Sequence, residues 1–198
     1  MTLLSIIAAY LLGATPWGYL LARWRMGADI RTLGSGNIGA ANVWRQGGRG
    51  LGLAVLLLDA GKGWAAVWLA SYWSGGSPLW MSLAAIAAML GHAFPVFLRF
   101  RGGKAVATFF GCFAFLAPLP TLAIALLWLI SAGITRQTSV GSTLSVATFP
   151  LALWLISHPT PEPLAAALGA AALVLWRHQD NFRRIKDGTE ARIHFGTR

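Results

Sequence analysis

The chain has 198 residues, of which 56% are hydrophobic and only 11% are charged, and its formal net charge is +10 at pH 7. Soluble domains carry about a quarter charged residues, so this composition excludes an ordinary soluble enzyme and indicates a polytopic helical membrane protein. The positive charge does not indicate nucleic-acid binding, because the basic residues flank apolar segments, as membrane-orientation signals do. We therefore expect no nucleic-acid partner.

The apolar segments, taken in chain order, predict the helices. The first, residues 3–22, contains no charge and is long enough to span a bilayer. Thr15-Pro16 within it predicts a kink, because proline interrupts helical hydrogen bonding. Further predicted spans cover residues 51–73, 79–98, 142–157 and 164–176.

The uncharged run 105–135 decides the topology. It can form one tilted helix or, with a turn at Pro118 and Pro120, two helices. Only two helices place every basic loop on one side of the membrane, as the orientation rule requires. We therefore predict an all-α bundle of seven transmembrane helices in a single domain, residues 1–198, with the N-terminus outside and the C-terminus in the cytoplasm.

A glycine-rich polar segment, residues 33–45, separates the first two spans. Glycine lets backbone N–H groups approach a ligand closely, and the segment also contains Ser35, Asn37, Asn42 and Arg45. The last two are three residues apart, so they share a face of a short helix. We interpret the segment as a binding surface for an anion. The alternative is a capped, glycine-rich connector.

A second polar cluster, RFRGGKAVAT at 99–108, falls on the same predicted side. Gly102 and Gly103 precede Lys104 at a predicted helix start, where backbone N–H groups, the helix dipole and an ammonium can bind a phosphate. The spacing is not that of a nucleotide-binding P-loop. A glycine turn with membrane-anchoring basic residues explains the pattern equally well.

A third cluster follows the last span, at residues 177–193. Helical spacing places His178 and Asn181 on one face just beyond the membrane. Glu190 can form an ion pair with one of the tail arginines and fix the tail against the bundle. The alternatives are a histidine that caps the helix and a basic tail attracted to anionic lipid.

Polar residues also occur within or beside the spans. Asp59 and Lys62 are three residues apart inside a span, and charges there are usually functional or paired. We favour mutual pairing, with Lys62 also able to reach the polar site. Ser139 and Ser142 can add hydroxyl donors at the mouth of the sixth segment or cap its helix. No motif has metal-ligand spacing, so we predict no metal.

Together, three segments resemble the bacterial acyl-phosphate-dependent glycerol-3-phosphate acyltransferases: GSGNIGAANVWR at 34–45, GHAFPVFLRFRGGKAVAT at 91–108 and RHQDNFRRIKDGTEARI at 177–193. The segment LLLDAGKG at 56–63 also resembles that family. The chain departs from the family pattern at Ala41, where Thr is expected, and at Arg101 and Arg192, where Lys is usual. These changes keep charge or shape.

The resemblance implies transfer of a fatty acyl group from acyl phosphate to the sn-1 hydroxyl of glycerol 3-phosphate, which yields 1-acylglycerol 3-phosphate (lysophosphatidic acid) and inorganic phosphate. It implies no cofactor, a membrane-lipid environment, and an active site at the cytoplasmic face of the bacterial inner membrane. We expect a monomer. The rival is a transporter or exchanger of organic phosphates, disfavoured because the polar clusters share one face and no inverted repeat is visible.

From the needs of this reaction we assign roles to the polar residues as a hypothesis. Arg45 and Lys104 bind phosphate, two glycines supply backbone donors, and either His178 or a substrate phosphate takes the hydroxyl proton. The predicted catalytic residues are Ser35, Arg45, Lys104, His178 and Asn181. The predicted substrate-binding residues are Gly36, Asn37, Asn42, Lys62, Gly102, Gly103, Ser139, Ser142, Arg184 and Glu190.

Overall fold

A computed structural model describes residues 1–193 and shows an all-helical protein, as predicted. The α-helices are α1 (Thr2–Ala14), α2 (Trp17–Met26), α3 (Ala40–Gly47), α4 (Arg49–Ser74), α5 (Pro78–Ala93), α6 (Val106–Leu116), α7 (Pro118–Thr135), α8 (Thr138–Ser157), α9 (Pro161–Arg177) and α10 (Gln179–Lys186). Short 3-10 helices cover Ile30–Thr32 and Val96–Leu98. The last residues of the predicted basic tail, 194–198, lie outside the described residues.

Within the described chain, 5 helical stretches are long and apolar enough to cross a membrane. They are Thr2–Met26, Arg49–Ser74, Pro78–Leu98, Pro118–Thr135 and Thr138–Ser157. Helix α6 has 11 residues and α9 has 17, both shorter than the roughly 20 residues that cross a bilayer core. The number of seven spans therefore stays a prediction.

Prolines interrupt the helices where the sequence predicts. Helix α1 ends at Ala14 and α2 begins at Trp17, directly after Pro16. Helix α6 ends at Leu116 and α7 begins at Pro118, a first-turn position where the missing N–H of proline costs nothing. The run 105–135 is therefore two helices, and that prediction is confirmed.

Small residues let neighbouring helices approach closely. A Cβ at Gly13 would lie 2.0 Å from the carbonyl oxygen of Ala88, so α1 and α5 pack backbone against backbone. A Cβ at Gly111 would lie 1.8 Å from the carbonyl oxygen of Ala60, which brings α6 equally close to α4. Close packing of this kind holds membrane helices together, because the lipid removes the hydrophobic drive for association.

One end of the bundle carries the polar connections, and we call it the polar end. It comprises residues 27–48, 94–105, 136–139 and 177–193. The C-terminal segment closes onto it, because the N–H of Ile193 donates to the carbonyl oxygen of Arg136 at 2.6 Å. The three predicted polar clusters thus lie at the same end of the molecule.

Candidate active site

A polar cavity of about 290 Å³ lies at the polar end, and its walls come from three segments that are distant in the sequence. It contains three cationic side chains and one carboxylate, so its charge suits an anionic ligand. The lining residues are Ser35, Gly36, Asn37, Gly102, Lys104, Trp176, Arg177, Gln179, Asp180 and Arg184.

The segment between α2 and α3 forms the first wall. Gly34 and Gly36 have φ angles of 55° and 69°, left-handed conformations that glycine adopts without strain. The Oδ1 atom of Asn37 accepts a hydrogen bond from the N–H of Gly39 at 2.8 Å, a local turn typical of asparagine. These turns leave Ser35, Gly36 and Asn37 on the cavity wall.

Asn42 shapes this wall from within the fold. Its Nδ2 donates to the carbonyl oxygens of Ile30, Leu33 and Asn37 at 3.3, 3.0 and 2.9 Å. Its Oδ1 accepts a hydrogen bond from the N–H of Ser35 at 3.0 Å. The residue is 2% exposed, and its polar atoms are all engaged. The structure therefore corrects the prediction that Asn42 binds substrate, since the side chain positions the wall instead.

We expect Asn42→Asp to destabilise the fold, because a carboxylate cannot donate to the three carbonyl oxygens. Each unpaired buried group costs about 1–3 kcal/mol, so the midpoint of thermal denaturation should fall by several degrees. Asn37→Asp is the matched control, because the side-chain hydrogen bond of Asn37 within residues 1–193 uses its oxygen, which a carboxylate keeps. Equal midpoints for the two variants would contradict the positioning role.

The turn made of Gly102, Gly103 and Lys104, the GGK turn, forms the second wall. The N–H of Gly102 donates to the carbonyl oxygen of Ala93 at 3.2 Å, and that of Gly103 to His92 at 3.0 Å. The prediction that both N–H groups supply donors to a phosphate is wrong, because the end of α5 already accepts them. Glycine has another role here: a Cβ at Gly103 would lie 2.1 Å from Nε2 of His92.

Arg177 holds the GGK turn in place. Its Nε donates to the carbonyl oxygen of Gly103 at 3.0 Å, and its Nη2 donates to that of Gly102 at 3.0 Å. The planar guanidinium presents these two donors in a fixed geometry, which a flexible ammonium does not. The same group lies 5.6 Å from the centre of the Phe94 ring. The role of Arg177 was not predicted from the sequence, because a basic residue at the end of a span is usually an orientation signal.

Three more cavity residues were not predicted from the sequence. They are Trp176, Gln179 and Asp180. Helix α9 ends at Arg177 and α10 begins two residues later, so the chain continues in a nearly helical path along the cavity. The helical spacing of His178 and Asn181 marks one face of that path, whereas the cavity also touches the neighbouring face.

A hydrogen-bonded network links the GGK turn to the third wall, which is α10 and the segment after it. Lys104 Nζ donates to Asn181 Oδ1, and Asn181 Nδ2 donates to Glu190 Oε1 at 2.5 Å. Arg184 Nε donates to Glu190 Oε2 at 2.8 Å. The predicted ion pair between Glu190 and a tail arginine is confirmed. The structure therefore brings four predicted site residues into one connected group.

The charges of this network follow from its surroundings. Burial, with the nearby Arg184 guanidinium, lowers the pKa of Lys104 to about 8. Burial alone would raise the pKa of Glu190, but polar contacts from Ser139, Arg184 and Asn181 outweigh it and hold that pKa below its ordinary value. The Ser139 hydroxyl makes no hydrogen bond of standard geometry. At pH 7, Lys104 is mainly an ammonium and Glu190 a carboxylate.

His178 is buried at the junction of α9 and α10 and is 3% exposed. Its Nδ1 lies 2.7 Å from the carbonyl oxygen of Val174. A carbonyl oxygen only accepts, so Nδ1 carries the proton and Nε2 keeps its lone pair. Burial, together with the Lys104 ammonium, lowers the pKa of His178 to about 4. The ring is therefore neutral at pH 7 and a weak base.

Arg45, on α3, lies beside the same site. Its Nη2 is 3.5 Å from Ser35 Oγ, a long contact that connects α3 to the first wall. Partial burial lowers the pKa of Arg45, and the nearby Glu190 carboxylate raises it while the Arg184 guanidinium lowers it. The Arg45 guanidinium therefore interacts electrostatically with Glu190 and Arg184 of the third wall. The predicted grouping of Arg45 with the other two clusters agrees with this placement.

Lys62 lies away from the cavity, within α4. Its Nζ is 2.7 Å from Asp59 Oδ1 and donates to the carbonyl oxygen of Thr15 at 2.8 Å. The predicted pairing with Asp59 is confirmed. The predicted contact with substrate is corrected, because the ammonium is buried and held by these two partners.

Ser142 is also engaged elsewhere. Its hydroxyl donates to the carbonyl oxygen of Thr138 at 2.7 Å and accepts a hydrogen bond from Trp128 Nε1 at 3.1 Å. The side chain therefore joins α8 to α7 and does not line the cavity, and its role in substrate binding stays a prediction. Ser139, one turn earlier, points instead towards Glu190 of the third wall.

The fold and the cavity define a class of protein. The chain is a helical, apolar, membrane-type bundle with a cationic cavity at one end. Among residues 1–193, no group of three or more His, Cys, Asp or Glu is placed to hold a metal ion. Three cations at the edge of an apolar bundle suit a protein that handles a phosphate-bearing molecule next to lipid.

Comparison with known proteins gives the family. Residues 3–188 match the glycerol-3-phosphate acyltransferase family. The chain is 43% identical over 189 residues to the glycerol-3-phosphate acyltransferase of Rhodopseudomonas palustris (strain BisB5), covering 96% of this chain and 94% of the relative. It is 44% identical over 192 residues to that of Agrobacterium fabrum (strain C58), covering 96% and 91%.

Solved structures agree. The crystal structure of PlsY (YgiH), an integral membrane glycerol 3-phosphate acyltransferase, in its glycerol 3-phosphate form superposes with a TM-score of 0.92 and 35% identity over 98% of this chain and 96% of that one. The lysophosphatidic acid form gives 0.88 and 34%, over 98% and 95%. The chain belongs to the glycerol-3-phosphate acyltransferase family and is an integral membrane acyltransferase.

Proposed function

We propose that the protein transfers a fatty acyl group from acyl phosphate to the sn-1 hydroxyl of glycerol 3-phosphate. The hydroxyl oxygen attacks the acyl carbon, the bond from that carbon to the phosphate oxygen breaks, and the hydroxyl proton leaves. The products are 1-acylglycerol 3-phosphate and inorganic phosphate. The observation that carries this proposal is the cavity itself, where Lys104, Arg177 and Arg184 meet beside the hydroxyl of Ser35.

The chemistry requires little more than placement and charge. An acyl phosphate is a mixed anhydride with a good leaving group, so the protein mainly holds two anions together and stabilises a developing oxyanion. The Lys104 ammonium and the Arg45 guanidinium offset the repulsion between two phosphates. Asn181 keeps Lys104 directed into the site through its side-chain oxygen. Ser35 and Asn37 line the wall where the glycerol part binds.

The proton acceptor is a substrate phosphate. His178 is a weak base, because burial and the Lys104 ammonium lower its pKa to about 4. A phosphate monoester has a second pKa of about 6, so it takes a proton more readily at pH 7. His178 is then left with a hydrogen-bonding role, for which its Nε2 keeps a lone pair.

The protein works as a monomeric, single-domain enzyme of the bacterial inner membrane, with no metal and no cofactor. Its seven spans place the N-terminus outside and the active site at the cytoplasmic face. The bias of basic residues towards the polar end supports this orientation. In this arrangement acyl phosphate enters from the inner leaflet and glycerol 3-phosphate from the cytoplasm.

The deciding experiment is a donor comparison with purified protein in lipid vesicles and labelled glycerol 3-phosphate. Each reaction receives a long-chain acyl phosphate or the matching acyl-CoA, without added metal. Lipid-soluble label from acyl phosphate alone is the expected result. Label from acyl-CoA alone would overturn the donor. If neither donor gives product and label crosses sealed vesicles, the protein is a transporter of organic phosphates.

Arg45→Lys should raise the KM for a phosphate substrate by about tenfold or more, because a point charge cannot replace a planar fork that clamps phosphate. Saturation curves for glycerol 3-phosphate and for acyl phosphate would identify which substrate is affected. Arg25→Lys, at the exposed end of α2, is the matched control. Near-normal saturation by both substrates would remove Arg45 from the binding site.

A further inference from the structure

The buried pair Asp59–Lys62 has no place in the transfer reaction described above. Asp59 lies about 15 Å along α4 from its start at Arg49. Asp59 and Lys62 are only 2% and 6% exposed. Charges at such depth are costly, and their desolvation is rarely repaid in stability by pairing alone. A role in the site is therefore worth seeking in what the pair touches.

On one side the pair reaches the break between α1 and α2. Lys62 Nζ donates at 2.8 Å to the carbonyl oxygen of Thr15, the residue before Pro16. Helix α2 then packs directly against the first wall of the cavity, because a Cβ at Gly18 would lie 1.7 Å from the carbonyl oxygen of Ile38. The position of α2 therefore sets the position of the segment that carries Ser35.

On the other side the pair reaches the GGK turn through His92, which is 3% exposed. His92 Nδ1 lies 3.6 Å from Asp59 Oδ1, an electrostatic contact rather than a hydrogen bond. The His92 carbonyl oxygen accepts the N–H of Gly103 at 3.0 Å. Its ring also packs on that glycine, where a Cβ would lie 2.1 Å from Nε2. The position of His92 therefore sets the position of the turn that presents Lys104.

We propose that Asp59, Lys62 and His92 form a buried positioning cluster that sets the spacing between the first wall and the GGK turn. The cluster connects the two through a continuous path of contacts inside the membrane region. Its members do not line the cavity, so they act on the reaction only through the groups that they hold. This inference rests on the proposed function, because it assumes that both walls contact the substrates.

The test removes the pair as a unit. A single substitution leaves the partner charge buried and unpaired, which can unfold the protein, whereas the double variant Asp59→Asn/Lys62→Met removes both charges. His92→Gln is a second variant that leaves the ion pair in place. Leu153→Ala is the control for a general loss of packing, because Leu153 is 1% exposed and lies near the end of α8 remote from the polar end.

Two readouts are compared, and one of them needs no catalysis. Spin labels at Thr32→Cys and Arg101→Cys, both exposed at the polar end, report the distance between the two walls. The native Cys112 is buried, so labelling is directed to the introduced cysteines. Steady-state kinetics with acyl phosphate and glycerol 3-phosphate give kcat and KM for the same proteins in lipid vesicles.

We expect the double variant and His92→Gln to shift or broaden the distance distribution and to lower kcat by about 10- to 100-fold with little change in KM. Leu153→Ala should lower the denaturation midpoint and change neither readout. An unchanged distribution, an unchanged kcat, or equal losses in Leu153→Ala would overturn the proposal. A wild-type protein without transferase activity would refute the proposed function. In that case the distance measurement alone would test whether the cluster sets the spacing of the two walls.

Discussion

Replacing Lys104 by Met should lower kcat/KM for acyl transfer by about 10³-fold, the effect expected for removing a preorganised group that stabilises a transition-state anion. Lys104 lines the cavity, and its ammonium is directed by Asn181, which Glu190 holds in turn. The variant removes the charge and keeps most of the side-chain volume. Lys186→Met, on the exposed part of α10, is the matched control. A loss below tenfold in Lys104→Met would exclude a direct role in the reaction.

The same lysine predicts a pH dependence with a definite sign. Its pKa is lowered to about 8, so the ammonium is present below pH 8 and is lost as the pH rises through that value. We expect kcat/KM to fall above pH 8, because this quantity follows the ionisation of the free enzyme. Lys104→Arg keeps its charge at high pH, so its kcat/KM should not fall above pH 8. The same fall in both proteins would show that a group other than Lys104 causes it.

Stability should respond to pH in the opposite direction. The pKa of Lys104 in the fold, about 8, lies below its ordinary value of 10.5. Between these values the unfolded chain binds more protons than the folded chain, so the free energy of unfolding rises with pH. The protein should therefore become more resistant to heat as this ammonium and the activity are lost, and Lys104→Met should lack that part of the pH dependence.

Gly103→Ala should lower both stability and activity. The added Cβ would lie 2.1 Å from Nε2 of His92, and neither partner can move easily. The Gly103 carbonyl oxygen is held by Arg177 at 3.0 Å, and His92 is buried. Overpacking of this kind costs about 1–3 kcal/mol, and a displacement of Lys104 by about 1 Å can cost 10²-fold in rate.

Gly133→Ala is the control for this substitution. Gly133 lies in α7, and a Cβ there meets nothing within 4 Å. Replacing a helical glycine by alanine gains about 1 kcal/mol of helix propensity, so this variant should be as active as the wild type and at least as stable. Denaturation midpoints and kcat/KM measured side by side would test the pair. Wild-type activity and stability in Gly103→Ala would show that the turn has more room than the structure indicates.

The helices and their breaks were predictable because they depend on local chemistry. An uncharged apolar run must satisfy its backbone within a helix in lipid. Proline removes a backbone donor and can end such a helix, although Pro150 lies inside α8 without ending it. The breaks at Pro16 and Pro118 were predicted on this basis and are present. Opposite charges that are close in the sequence also predict ion pairs, as they did for Asp59 with Lys62 and for Glu190 with a tail arginine, which the structure identifies as Arg184.

The roles of individual polar groups were less predictable, because each depends on which partner the fold supplies. The spacing of Asn42 and Arg45 suggested a shared ligand, yet the Asn42 side chain donates its hydrogen bonds to carbonyl oxygens of the segment between α2 and α3. The N–H groups of Gly102 and Gly103 donate to carbonyl oxygens at the end of α5. Ser142 and Lys62 are likewise held by neighbouring helices.

Composition, the long apolar runs, the positions of the basic residues and the three polar motifs by themselves determined an all-helical membrane protein and the residues from which its site is drawn. Each of these features can be recognised within a short stretch of chain. Only the tertiary structure decided which of those groups face the cavity and which support it. Arg177 shows why: its two hydrogen bonds to the GGK turn join residues that are 74 and 75 positions apart. The free energy of such a contact depends on the packing of helices between them, which no local pattern encodes.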